Sequence, residues 1–133
     1  MGVFLVRMET LPYICGIMII KSSTRVVIIL KDRVYKIPID YRGYLQGKNE
    51  SKVWRQYKHT NKLAPLIWER FGIVCQVKCD TICHRPPIEE VKELIPQLNI
   101  DNCDLHNIEN WGQYQGNTVL LDYGIDERIS KMY

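Results

Sequence analysis

The sequence predicts an α+β domain: an antiparallel sheet joined by one principal helix, with a second helix further on. Three observations carry this. Short β-branched runs separated by polar turns fill the first third of the chain. Apolar residues at helical spacing follow residue 49. Two more short apolar runs and another stretch of helical spacing come next.

Taken in order, residues 3–8 form a first short strand, Pro12 interrupts the chain after it, and residues 15–20 are a compact apolar run. Lys21-Ser-Ser-Thr24 is a polar turn, residues 25–30 are a β-branched strand, and Lys31-Asp32 turns the chain into the strand 33–38. Residues 39–48, with Gly43 and Gly47, read as a turn-rich connector. Asn49 then caps a helix over 50–61, with Val53, Trp54 and Tyr57 on its apolar face. Strands over 63–68 and 72–78 flank an Arg70-Phe-Gly turn. After Pro86-Pro87 a helix runs from 88 to about 98, with Val91, Leu94 and Ile95 as its core stripe.

At 133 residues the chain is read as one domain, residues 1–133. Its 46% hydrophobic and 25% charged residues are globular values. A net charge of +3, scattered without like-charge blocks, argues against a nucleic-acid surface. The odd set of five cysteines, without a secretory leader, favours free thiols in a reducing compartment. The longest early apolar stretch, 13–20, is too short to span a bilayer. The expectation is a soluble, cytoplasmic chain without membrane contact.

Three segments carry residues with chemistry. Lys36, in Val34-Tyr-Lys-Ile37, alternates in face with Tyr35 and Ile37, so solvent exposure would explain it. Glu50 falls in the first turn of the helix read from Asn49, where the helix dipole favours a carboxylate. Asp104 and Asn110 share the stretch 102–112, and an apolar strand, 119–121, delivers Asp122 before Tyr123-Gly124. Two carboxylates and an amide carbonyl are hard oxygen ligands that suit a magnesium-bound phosphate. Turn formation alone would also account for Asp, Asn and Gly at these places.

The order Lys36, Glu50, Asp-Leu-His106…Asn110 and Asp122-Tyr-Gly124 resembles the protein-kinase-like fold. Its loop is closest to small-molecule kinases of the aminoglycoside-phosphotransferase type. The flanking runs Arg25–Leu30 with Val34–Pro38, and Gly47-x-Asn-Glu50-x-x-x-Trp54, resemble small kinase-like proteins encoded by bacteriophages. This resemblance covers about residues 22–125. It implies a small lobe of sheet and one helix over about 1–78, a hinge at 79–87 for an adenine ring, and a truncated large lobe over 88–133. It also implies ATP and Mg2+ as cofactors. Lys36 paired with Glu50 would position phosphate, Asp104 would be the catalytic base, and Asn110 with Asp122 would hold metal.

Three departures bear on activity. No Gly-rich loop precedes Lys36, and the 21–24 turn is the only candidate cover for phosphates. Five residues separate Asp104 from Asn110 where the family has four, so Glu109 or Asn110 could be the ligand; Trp111-Gly112 favours Asn110. No activation segment or peptide-holding helices follow Gly124. The resemblance therefore implies a pseudokinase that binds a host protein, with an active small phosphotransferase as the alternative. A truncated large lobe would leave apolar surface, so a homodimer is a further expectation. His106 could orient the loop, while His59 and His84 offer no partner. Cys75 and Cys79 flank a strand too widely to chelate zinc together, and free thiols are expected.

Overall fold

The computed structural model describes residues 6–7, 17–96, 105–124 and 132. The architecture is α+β. Strands β1 (Val6–Arg7), β2 (Met18–Lys21), β3 (Arg25–Ile29), β4 (Arg33–Pro38), β5 (Leu66–Arg70) and β6 (Ile73–Val77) form one antiparallel sheet in the order β1-β2-β3-β4-β6-β5. The five strands after the two-residue β1 make up its body. The long helix α1 (Tyr41–Tyr57) connects β4 to β5, and the short helix α2 (Ile88–Leu94) follows the sheet. A separate hairpin of β7 (Trp111–Tyr114) and β8 (Asn117–Leu120) completes the fold.

The expected meander is present, and the main correction concerns α1. It begins nine residues before Glu50, at Tyr41, so the supposed connector 39–48 is mostly helix. Asp40 is the N-cap, and its carboxylate accepts the Gly43 N–H at 3.0 Å. Asn49 and Glu50 therefore sit mid-helix, and the helix-dipole explanation for Glu50 falls away.

Gly43 and Gly47 misled the reading because glycine usually marks a turn. Here both allow close packing. A Cβ on Gly43 would overlap the Thr24 carbonyl, and one on Gly47 the Gly72 carbonyl, so α1 presses on the β2–β3 and β5–β6 turns. With the start moved, Gly43, Gln46, Gly47, Glu50 and Val53 form one buried stripe at helical spacing against β4, β5 and β6.

Phe71 and Gly72 make the β5–β6 turn with φ of 55° and 81°. Gln115 and Gly116 make the β7–β8 turn with 50° and 82°. Positive φ at both central residues suits the right-handed twist of two-residue hairpins.

An apolar core of Val53, Leu63, Val91, Ile95, Leu105, Trp111, Leu120 and Tyr123 lies between α1, α2 and the hairpin. Trp54 and Tyr57 pack against it, as the apolar face of the helix predicts. Helix α2 is shorter than expected: Ile95 is its C-cap, ahead of Pro96. Val91 and Ile95 are buried, whereas Leu94, expected in the stripe, is 42% exposed. The hairpin is tied to the chain ahead of β5 by Ala64 N–H to Leu120 O and Leu120 N–H to Lys62 O, at 2.9 and 2.8 Å. Segment 79–87 connects the sheet to α2 and bridges the hairpin through Asp80 and Gln113. No helix among the described residues is long and apolar enough to cross a membrane.

Gly47→Ala tests the close approach. Alanine adds about 1 kcal/mol of helix propensity, but the clash with a backbone carbonyl is expected to leave a net loss of about 1–3 kcal/mol. Urea unfolding measures this; a variant as stable as the wild type would remove close packing as the reason for that glycine.

Candidate functional site

Lys36 is not a surface residue. Its partner position on β3 is Val27 and on β6 is Val74, and from there the side chain points at α1. It is 5% exposed, and its ammonium donates to Glu50 Oε2 at 2.8 Å and to the Leu121 carbonyl at 2.6 Å. The expected Lys36–Glu50 pair is therefore formed. The Tyr123 ring centroid lies 5.9 Å from the ammonium.

Arg25, which the sequence reading passed over, is the second cation. Its guanidinium donates to Glu50 Oε1 at 2.9 Å and to Asp122 Oδ1 at 3.0 Å. Glu50, fully buried, thus receives a cation on each oxygen, and Oε2 also accepts the Tyr123 N–H at 3.3 Å. A second tier of amides and hydroxyls surrounds the ions. Gln76 donates to the Leu121 carbonyl at 3.0 Å, Thr24 Oγ1 to Gln46 Oε1 at 2.8 Å, and Asn49 to the Gly124 carbonyl at 3.0 Å. Among the described residues no buried side-chain nitrogen or oxygen lacks a partner.

Burial works to raise the pKa of Asp122. The Arg25 guanidinium, then Lys36, with contributions from Glu50 and the Gly124 N–H, outweigh it and hold the carboxyl below its usual value. About a fifth of the side chain remains exposed. Tyr123 is pushed the other way, well above the ordinary phenol, by burial and by Glu50. It stays protonated and donates to the Ala64 carbonyl at 2.8 Å.

The turn 22–24, the candidate phosphate cover, is folded onto itself. Ser22 Oγ accepts the N–H groups of Thr24 and Arg25 at 3.3 and 2.9 Å, and donates to the Arg25 carbonyl at 3.0 Å. The Thr24 and Arg25 amides are thereby engaged, and the Ser22 N–H donates to the Arg25 carbonyl at 2.8 Å. Asp104 lies outside the described residues, as do Cys15 and Cys103. Asn110 ends a 3-10 turn (Ile108–Asn110), and its carbonyl accepts the Leu121 N–H at 2.8 Å. Glu109 and His106 are exposed. His84 does have a partner: its Nε2 lies 2.9 Å from Thr118 Oγ1, because segment 79–87 runs beside the hairpin.

At Asp122 a magnesium ion would meet a carboxylate that is already engaged. A metal ion at Asp122 would have to share the carboxylate with a guanidinium already held at 3.0 Å, two positive charges in a largely desolvated place. Among the described residues no group of three or more His, Cys, Asp or Glu side chains is arranged to hold a metal. The Cys79 thiol, pushed up to about 11 by burial and by Asp80, stays protonated at neutral pH.

Of the missed residues, Gln46 had a signal along the chain, whereas Arg25 is placed only by strand register. Gln46 lies four residues before Glu50, on the same helix face, once the helix is extended to Tyr41. Arg25 lies two residues before Val27, the register partner of Lys36, so alternation puts both cations on one face of the sheet. No protein-family model, no curated protein and no solved structure matches this chain.

Glu50→Ala would strand two buried cations, an expected loss of about 3–5 kcal/mol. Asp122→Asn is expected to cost about 1.5–3 kcal/mol at neutral pH. Because the folded state depresses the Asp122 pKa, the carboxylate contributes fully above its unfolded pKa of about 3.9, and that contribution fades as pH falls through the folded value. Wild type and variant should therefore converge in stability on acidification. A gap that persists unchanged to pH ~2 would mean the ion pair is not its source.

Proposed function

We propose that this chain is a kinase-like binding module. It keeps the lysine, glutamate and aspartate of its resemblance as an internal clamp, and acts by docking on a protein partner. The observation that carries the reading is Arg25. Its guanidinium takes both Glu50 and Asp122, at 2.9 and 3.0 Å, where a nucleotide-bound metal would need the Asp122 carboxylate. The self-bonded turn at 22–24 supports the same reading, since the Thr24 and Arg25 amides serve the turn itself. Large apolar groups on the surface also support docking, among them Tyr41 at 64% and Phe71 at 83% exposure. The resemblance to phage-encoded proteins makes a host protein the partner class, reached in the host cytoplasm.

A second reading, an active small phosphotransferase moving the γ-phosphate of ATP to a small-molecule or protein hydroxyl, is favoured by the Lys36–Glu50 contact of 2.8 Å. In it Asp104 is the base, and Asn110 and Asp122 hold the metal.

Calorimetric titration of ATP with magnesium separates the two. The binding module takes up no nucleotide at millimolar concentration, in the wild type or in Arg25→Ala, where the clamp on Asp122 is opened. Saturable, magnesium-dependent binding that disappears in Asp122→Ala, with phosphate release that disappears in Asp104→Ala, would replace it with the phosphotransferase.

A further inference from the structure

The sheet has a second face, opposite α1, and its pattern is unlike that of a solvated surface. Register and alternation assign it. Ile19, Ile28, Tyr35, Cys75 and Trp68 lie in one row across β2, β3, β4, β6 and β5. Lys21, Val26 and Ile37 form the next row, continued by the pair Ile73 and Arg70. Arg33 and Val77 lie beyond the first row on the other side. The Tyr35 and Trp68 rings meet at 6.1 Å, which fixes them on one side. Lys36, Arg25 and Glu69 belong to the α1 side, where they pair with Glu50 and Lys48.

An antiparallel sheet with one wet face alternates apolar with polar residues. Here the outward positions at the centre, Val26, Ile28, Tyr35, Ile37, Ile73 and Val77, are apolar and only half-buried. Trp68 is 36% exposed. The charged members of the face are Lys21, Arg33 and Arg70, all basic, and no acid occupies a position on it among the described residues. Lys21 and Arg70 are exposed and stand on β2, beside the two-residue β1, and on the edge strand β5. The acids next to the face along the chain are Glu69, which pairs with Lys48 on the α1 side, and Asp32, in the β3–β4 turn ahead of Arg33.

We infer that this face is a docking surface for an acidic amphipathic helix of a partner protein. This deepens the binding-module reading and rests on it. Charge complementarity selects the occupant: a margin of one sign around an apolar centre attracts the opposite sign and repels basic partners. Shape agrees. Strands β2 and β5 are four strand spacings apart, about 19 Å. A helix about 10–12 Å across fits along the middle strands, its apolar stripe on Val26, Ile28, Tyr35 and Ile37. Its flanking carboxylates then face Lys21 and Arg70, whose long side chains span the remaining gap. Helix-in-groove partners of this kind present apolar anchors at positions i, i+3, i+4 and i+7. The aliphatic side chains among the outward positions, Ile19, Val26, Ile28, Ile37, Ile73 and Val77, favour such a stripe over stacked bases.

The test is titration of the whole chain with a helical peptide of roughly 18 residues, about five turns, with Leu at those anchor positions and Glu on both flanks. Calorimetry and the fluorescence of Trp68 report binding. A matched peptide with Lys for Glu, and an oligothymidine, serve as competitors of other chemistry. The acidic peptide is expected to bind, more weakly as salt rises. Lys21→Glu with Arg70→Glu, both exposed and without effect on the core, should weaken it at least tenfold and admit the basic peptide. No binding of the acidic peptide at millimolar concentration, equal binding of both peptides, or preference for the oligonucleotide would overturn the inference. So would sedimentation showing the face closed by a second copy, with the two charge reversals dissociating it. ATP uptake reports on the clamp and is independent of these outcomes, so a failed peptide titration leaves the binding-module reading to be judged by the nucleotide experiment.

Discussion

The carboxylate of Glu50 is the constraint on which the structure depends. It is fully buried, and removing an ion from water costs several kcal/mol even after relaxation. That cost is offset only when Lys36 from β4, Arg25 from β3 and the Tyr123 N–H after β8 are all in place. Sheet, helix and hairpin are therefore held by one group, and a conformation that loses any of them exposes a charge imbalance in the interior. The close approach continues at Gly124, where a Cβ would overlap the Gln46 carbonyl and meet Glu50 Cγ at 2.7 Å. The Asp122-Tyr-Gly124 segment can lie against α1 because its last residue has no side chain.

The balance of this cluster bears on its role. Arg25 and Lys36 match Glu50 and Asp122 charge for charge, and each ion is within hydrogen-bond distance of an opposite one. A phosphate would find the cations already neutralised, and a metal ion would find its carboxylate on a guanidinium. This is the arrangement of a structural clamp, in which the motif residues specify one packing of helix on sheet. The same geometry shows how Lys36, Glu50 and Asp122 can serve packing with no ligand in place.

How much of this could be read in advance depends on which signals are local. The strands were legible because β-branched runs with polar turns encode them, and Arg25–Ile29 and Arg33–Pro38 lie where that pattern puts them. The start of α1 was not, because Gly43 and Gly47 look like turn residues until the Thr24 and Gly72 carbonyls that need their bareness are in place. The Lys36–Glu50 contact was reached through resemblance; alternation alone left Lys36 in solvent. Arg25 required the register of β3 against β4, a non-local fact that no spacing along the chain contains. His84 needed the neighbouring hairpin, for the same reason.

Register also joins the clamp to the opposite face. Tyr35 and Lys36 are adjacent in sequence and point to opposite sides of the sheet, one to Trp68 and the other to Glu50. A slip of one residue between β3 and β4 would carry Lys36 into the apolar rows and bring Tyr35 beneath α1. The buried ion pair forbids that slip, since it would separate Lys36 from Glu50. By fixing the parity of β4 it also fixes which face collects Val26, Ile28, Tyr35 and Ile37. The side of the sheet facing α1 is satisfied within the chain, with its charges matched. The other side is left apolar with a basic margin, and the interaction that makes the first self-sufficient also sets which side chains the second presents.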